Sequence, residues 1–260
     1  MSSVVNIFFS PTGTTKKIGT MISSSFKNSE IKEINLTSNN GHEINLSAVD
    51  IAIIGMPVHR GCLAEIAIER LKKIRGNNTP CVFYVLYGNR DYGTALLELK
   101  QLLSSQGFMP IAEGSFIGEH SFSSADYPIA KNRPDKKDLD EALKLGVSVQ
   151  NIMRNSNLSF MGIKSNNIIE RKVTLRIPPE VNISRCNHCG ACLENCPVQA
   201  ISITENSIQT NKDKCITCMA CLKACPQNAR VLNDDTLLNV INKLYESTKK
   251  RRESEFRVLI

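Results

Sequence analysis

One cysteine pattern occurs twice near the C-terminal end of this chain, and no other feature restricts fold and chemistry as tightly. The first copy reads CNHCGACLENCP, with Cys186, Cys189, Cys192, Cys196 and Pro197. The second reads CITCMACLKACP, with Cys215, Cys218, Cys221, Cys225 and Pro226. The spacing C-x2-C-x2-C-x3-C-P is that of [4Fe–4S] binding, in which the fourth cysteine of each copy ligates the cluster held mainly by the other. The expected ligand sets are Cys186, Cys189, Cys192 and Cys225 for one cluster, and Cys215, Cys218, Cys221 and Cys196 for the second. Thiolates suit this role because cluster iron takes soft anionic ligands in a tetrahedral array. A pair of zinc sites is the alternative, since an isolated C-x2-C also serves zinc. Two complete copies, each closed by proline, favour clusters and one-electron chemistry.

Of the ten cysteines in 260 residues, only Cys62 and Cys81 lie outside the two copies. That partition argues for a reducing cytoplasm and against a disulfide framework. The opening MSSVVNIFF is apolar but lacks a basic leader, so no secretory signal is expected. No run of about 18 apolar residues is present, so no membrane span is expected. A formal charge of +7 would suit a nucleic-acid partner. Two clusters and one bound phosphate group, each at about −2, would bring the holoprotein to about +1, so no nucleic acid is expected.

VVNIFF at 4–9 is a short β-branched and aromatic run of the kind that forms a buried parallel strand. It leads into Ser10-Pro11-Thr12-Gly13-Thr14-Thr15, and then helical spacing through Ile18, Met21, Ile22 and Phe26. A hydroxyl- and glycine-rich loop between a strand and a helix N-terminus is a phosphate cradle; an ordinary Ser/Thr turn with an N-cap is the alternative. Further strands are expected at 31–36, 50–55, 81–87 and within 108–118, alternating with helices, the last from Lys136 to Arg154. The third strand runs into Met56-Pro57-Val58-His59-Arg60-Gly61-Cys62, the fourth into Gly88-Asn89-Arg90-Asp91-Tyr92-Gly93, and the fifth into Glu119-His120. This alternation predicts a doubly wound α/β sheet that binds ligand outside the carboxyl ends of its strands.

Residues 1–155 resemble a flavodoxin-like domain, and the whole chain resembles the flavodoxin–ferredoxin fusion proteins of anaerobic bacteria and archaea. The matching pieces are SPTGTT at 10–15, GMPVHRG at 55–61, YGNRDYG at 87–93, GEHSF at 118–122, NRPD at 132–135, both cysteine copies, and Glu255-Phe256-Arg257. The resemblance implies a five-stranded parallel sheet of order 2-1-3-4-5 that binds FMN, and a smaller α+β 2[4Fe–4S] ferredoxin domain. It divides the chain into a flavodoxin-like unit (1–155), a linker (156–180), a ferredoxin unit (181–232) and a C-terminal helix and tail (233–260). By position, Ser10, Thr12, Gly13, Thr14 and Thr15 would bind the FMN phosphate. Pro57, Val58, His59, Gly61, Gly88, Asn89, Arg90 and Tyr92 would frame the ring. His59 would couple a proton to flavin reduction, and Gly61 would turn its carbonyl toward flavin N5–H. The chain departs from flavodoxins in carrying His59 where an aromatic residue is usual, and Arg90 beside Asp91, a pairing expected to make the flavin less reducing.

Cys81 opens a buried strand and reads as a core thiol, whereas Cys62 reads as the start of a helix, where a helix N-terminus lowers a thiol pKa. Asp234–Lys250 has helical spacing, with Lys249-Lys250-Arg251-Arg252 as its solvated end, and the apolar tail is expected to pack on the protein. The function these features imply is electron transfer between two [4Fe–4S] clusters and FMN, as a low-potential carrier in anaerobic metabolism that exchanges electrons with redox partner proteins. An FMN-dependent reductase acting on a small acceptor is the alternative. Donor, acceptor and oligomeric state, a homodimer included, are not specified by the residues.

Overall fold

Five of the apolar runs become parallel strands of one sheet in the computed structural model, which describes residues 3–38, 43–46, 48–155, 176–204 and 207–259. They are β1 (Ser3–Phe8), β2 (Glu30–Asn35), β3 (Ile51–His59), β4 (Thr79–Tyr87) and β5 (Phe108–Ile117). Their order is β2-β1-β3-β4-β5, the flavodoxin-like arrangement, with its switch point between β1 and β3. Helices α1 (Thr14–Ser23) and α4 (Lys136–Asn155) cover one face; α2 (Glu65–Leu71) and α3 (Ala95–Ser105) cover the other. Successive side chains of a strand point to opposite faces. Val4 therefore joins Ile18, Ile22, Ile53, Val82 and Leu145, while Val5 joins Ile54, Phe83, Ala67, Leu99 and Leu103. Tyr84, fully buried on β4, donates its hydroxyl to the Thr15 carbonyl at 2.8 Å and so anchors the start of α1 to the sheet. Gly55 on β3 leaves room for that ring, which a Cβ would strike.

The cysteine-rich segment folds as two related halves. Two four-residue helices, α5 (Ala191–Glu194) and α6 (Ala220–Lys223), carry the middle of each copy. Strands β6 (Glu180–Val181) and β9 (Arg230–Val231) pair antiparallel, as do β7 (Ile201–Ile203) and β8 (Ile208–Thr210). Equivalent positions of the copies share left-handed backbone: His188 and Thr217 (φ 58° and 56°), Gly190 and Met219 (79° and 61°), Gln199 and Asn228 (50° and 48°). Holding residues such as Thr217 and Met219 there costs about 1–2 kcal/mol each, so the curl of each copy needs a compensating interaction.

Beyond this segment, α7 (Asp235–Ser247) is capped by Asp234, whose carboxylate accepts from Leu237 N–H at 2.9 Å. The chain then returns to the first sheet. Strand β10 (Glu255–Val258) pairs antiparallel with β5, so the sheet gains an antiparallel edge strand that the five-stranded expectation lacks. The tail does pack on the protein, as expected, but as a strand: Phe256 packs on the core, and Arg257 forms an ion pair with buried Glu113. The basic run is not the solvated end of a helix. Helix α7 stops at Ser247, and Arg251 pairs with Asp135 at 2.6 Å, while Ser254 donates to Asp138 at 2.6 Å. The expected linker falls mostly outside the described residues, at 156–175. Among the described residues no helix is long and apolar enough to cross a membrane.

Deleting residues 255–260 bares the backbone donors and acceptors of β5, a long and largely buried strand. The truncated protein is expected to self-associate, seen as a concentration-dependent rise in mass by light scattering; a monodisperse product of unchanged stability would contradict this role for β10.

Candidate functional site

The loop from β1 to α1 has the shape expected of an anion cradle. Gly13 opens α1 at φ 84°, and no side chain caps that helix. Ser10 Oγ accepts from Lys16 N–H at 3.0 Å, and Ser10 N–H donates to Thr37 Oγ1 at 2.6 Å, which holds the loop from both sides. Thr15 is buried, Ser10, Thr12 and Thr14 are half-buried, and Gly13 is exposed, with open space where its Cβ would lie. Hydroxyls and first-turn amides around an open helix N-terminus form a donor set that fits a phosphate.

The loops after β3, β4 and β5 meet beside it. Gly93 (φ 54°) lies against Gly61 (φ 85°) so closely that a Cβ would strike the Gly61 carbonyl. That carbonyl accepts from Thr94 N–H at 2.8 Å, so in this conformation it is engaged within the protein rather than turned toward a ring. Pro57, Val58 and His59 are half-buried at the end of β3. Residues Cys62–Leu63 form a short antiparallel hairpin with Val58–His59, and α2 starts only at Glu65. Cys62 therefore does not sit at a helix N-terminus, contrary to the sequence expectation; its Sγ lies 3.6 Å from Thr94 Oγ1. Cys81 is fully buried and burial pushes its thiol pKa up, as expected of a core thiol.

Gly88 is the seat of His120, whose ring a Cβ at Gly88 would strike. Phe122 N–H donates to His120 Nδ1 at 3.1 Å, which leaves Nε2 to carry the proton. Burial first, then the nearby charges of His59, Arg90 and Lys223, lower the His120 pKa to about 4. His59 is also lowered to about 4, by burial and then by Arg60. Both imidazoles are thus neutral at pH 7, and in that form His59 is an uncharged hydrogen-bonding group.

Asn89 lies in the ring loop but its side chain serves another purpose. Buried and at φ 64°, it donates from Nδ2 to the carbonyls of Thr248 (2.7 Å) and Lys250 (2.9 Å) and accepts from Arg252 N–H (2.9 Å). Its amide is committed to the segment that follows α7, and no periodicity in the sequence signals that. Asp91 accepts from Gly93 N–H and lies 3.8 Å from Arg252, while Arg90 is exposed. Tyr92 packs edge-on to Tyr87 with centroids 5.5 Å apart.

The cysteines line two small cavities of about 20 Å³ each. Cys186, Cys189, Cys192 and Cys225 line one; Cys196, Cys215, Cys218 and Cys221 line the other. Each wall thus combines three cysteines of one copy with the fourth of its neighbour. Among the described residues no three His, Cys, Asp or Glu side chains are grouped so as to hold a single metal ion. Backbone N–H groups aim at the sulfurs in matching places, Ala200 to Cys196 and Ala229 to Cys225, both at 3.2 Å. Burial raises the Cys218 pKa to about 12, and nearby backbone N–H groups and thiols modify that rise. Four thiols in each wall, drawn from both copies, are a donor set whose chemistry fits an iron–sulfur cluster. His188, inside the first copy, is exposed.

Two cations join the cysteine-rich segment to the sheet. Buried Arg70 on α2 bridges the Leu36 and Thr37 carbonyls, both at 2.7 Å, to that of Pro197 at 2.5 Å. Lys223, two residues before Cys225, donates to the Ser123 carbonyl at 3.0 Å and lies 3.6 Å from Glu119. Ile216 adds an apolar contact with the core on the α2–α3 face. These contacts set the cysteine-lined cavities at the carboxyl ends of the strands, the edge that also carries the β1–α1 loop and the two histidines.

Residues 185–229 match the family model of the 4Fe-4S dicluster domain. No curated protein matches the chain. Among solved structures, a flavodoxin from the domain Archaea is 15% identical, with 59% of this chain and 99% of that chain covered and a TM-score of 0.41. Oxidised flavodoxin 1 from Bacillus cereus is 20% identical, with 61% and 100% covered and a TM-score of 0.44. A flavodoxin from Streptococcus pneumoniae is 13% identical, with 57% and 99% covered and a TM-score of 0.41. The strand order itself, rather than these scores, makes the sheet flavodoxin-like. A flavodoxin-like sheet joined to a 4Fe-4S dicluster segment defines an electron-transfer class of protein, with at least one [4Fe–4S] cluster. The combination is consistent with a flavodoxin–ferredoxin fusion.

Replacing Asn89 with Ala removes three buried hydrogen bonds and places Ala in left-handed backbone, at an expected cost of about 3 kcal/mol in urea unfolding. A loss below about 0.5 kcal/mol would show that the strap is held elsewhere. Because His59 and His120 have folded pKa values of about 4, below the unfolded value of 6.5, the unfolded chain takes up protons first as pH falls. Their contribution to stability is therefore expected to decline between pH 6.5 and 4 and to level off below that. The double variant His59→Gln, His120→Gln should flatten this part of the stability profile.

Proposed function

We propose that this chain is an electron-transfer protein that carries two [4Fe–4S] clusters and one FMN, a low-potential redox carrier of anaerobic metabolism that trades single electrons with partner proteins. The observation that carries this reading is the pair of similar cavities, each lined by three cysteines of one copy and the fourth of the other. On this reading residues 1–155 form the flavin unit and 181–232 the cluster unit, with the two ligand sets crossed as the cavity walls are. When bound, the clusters supply single-electron steps and the flavin supplies one- or two-electron storage.

The chain's own residues do the rest. Ser10, Thr12, Gly13, Thr14 and Thr15 would hold the FMN phosphate at the positive end of α1. Pro57, Val58, His59, Gly61, Gly88, Arg90 and Tyr92 would border the ring, with neutral His59 and His120 adding hydrogen-bonding atoms without charge. Asn89 would act through the backbone it shapes. Amide donors at Cys196 and Cys225 would delocalise sulfur charge and favour the reduced clusters. Arg70 and Lys223 tie the cysteine-rich segment to the sheet, so clusters held there would not depend on diffusional encounter to meet a flavin at the strand ends.

Anaerobic reconstitution tests this directly: about eight irons and one FMN are expected per chain, with both cluster signals in the reduced EPR spectrum. The crossed assignment has its own test. Cys225→Ser should leave the same residual cluster signal as Cys186→Ser, and Cys215→Ser should leave the other. A Cys225→Ser spectrum that matches Cys215→Ser instead would overturn it.

A further inference from the structure

The two halves of the cluster unit match closely, and they differ at one buried position between the cavities. Where the first copy continues Cys196-Pro197-Val198-Gln199-Ala200-Ile201, the second continues Cys225-Pro226-Gln227-Asn228-Ala229-Arg230. Ile201 is a buried apolar residue in the wall of the cavity lined by Cys196, Cys215, Cys218 and Cys221. Arg230 takes the equivalent place in the wall of the other cavity, and it is only 4% exposed.

The guanidinium of Arg230 is poorly satisfied for a group so deeply buried. Nη2 donates to the Pro179 carbonyl and to Thr210 Oγ1, both at 2.9 Å, and lies 3.8 Å from Cys221 Sγ. All three of those residues line the second cavity, whereas Arg230 itself lines the first. The side chain is therefore part of the partition between them. Nε and Nη1 are buried without a hydrogen-bond partner. A buried charge whose partners are neutral, with two donors unused, is costly unless anionic groups stand nearby. A [4Fe–4S] cluster with four thiolates carries about −2, and gains a further negative charge with each electron.

We propose, on the basis of the two-cluster reading above, that Arg230 is a shared cation set between the clusters that raises the reduction potentials of both. The physical basis is differential: when a cluster takes one electron from a low-potential reductant its negative charge grows by one, and a fixed positive charge beside it favours the product over the reactant. Low dielectric in the partition enlarges that preference relative to water. The effect reaches both clusters because the guanidinium borders one cavity and contacts the wall of the other. In this role Arg230 tunes the clusters and ligates neither.

The test compares full-length protein with Arg230→Met, which keeps bulk and loses charge, and Arg230→Lys, which keeps charge. Each is reconstituted anaerobically, assayed for iron and sulfide, and titrated potentiometrically with EPR detection of both clusters. Arg230→Met is expected to shift both midpoints to more negative potential, and Arg230→Lys to shift them less. Unmoved midpoints in a fully loaded Arg230→Met protein overturn the proposal, as does a Lys variant that falls as far as Met. Should the Met variant fail to load clusters, Arg230→Gln takes its place, with the same expected downward shift and the same overturning result. If the parent protein itself binds no clusters, the proposed function fails together with this inference. A loaded parent with insensitive midpoints defeats only the role of Arg230.

Discussion

The cysteine-rich segment has almost no core of its own, and the rest of the structure is arranged around that shortage. Cys192, Ile201 and Cys221 are its buried apolar cluster, with Cys196 and Ile208 partly buried against them. Burial of so little apolar surface contributes only a few kcal/mol at about 25 cal/mol per Å². Several residues of each copy also adopt left-handed backbone at a cost. Ligand binding at the cavities and anchoring to the larger unit are the two available compensations. The anchors are specific: Arg70 to the Pro197 carbonyl, Lys223 to the Ser123 carbonyl, and Ile216 to the larger core.

The C-terminal strap closes the same circuit from the other side. Thr248, Lys250 and Arg252 are held through their backbone by Asn89, Arg251 by Asp135, Ser254 by Asp138, and Glu255–Val258 by the edge of β5. The chain leaves the flavodoxin-like sheet, builds the cysteine-lined cavities and then comes back to pin the loop that follows β4. Electrostatics follow the same plan. Cations stand at the junctions between the parts, at Arg70, Lys223 and Arg230, while His59 and His120, in the loops after β3 and β5, stay neutral at pH 7.

Much of this was legible before any coordinates. Apolar runs such as CVFYVLY at 81–87 predict a doubly buried strand, and β4 is one. Other residues were misjudged for identifiable reasons. Cys62 was assigned to a helix start because apolar spacing begins there, yet the Val58–Leu63 pairing makes a hairpin and delays α2 to Glu65. The expected ring position of Asn89 says nothing of its second part: its amide also holds backbone more than 150 residues later, which no local pattern encodes. The strand at Glu255–Val258 is too short to announce itself and exists because β5 offers an unpaired edge. Arg230 was not singled out at all; the signal that would have found it is the mismatch with Ile201 when the two copies are aligned.

By itself the sequence determined the chemistry at stake and the layers of the fold. Cysteine spacing is a covalent count along the chain, and strand and helix periodicity are local, so both can be read without knowing what lies opposite. Only the tertiary structure decided which cysteines share a cavity wall, why the two imidazoles are uncharged at neutral pH, and where the charge of Arg230 comes to rest. Each of those depends on burial and on distances between segments far apart in the chain, and desolvation and charge interactions arise only once those segments have been brought together.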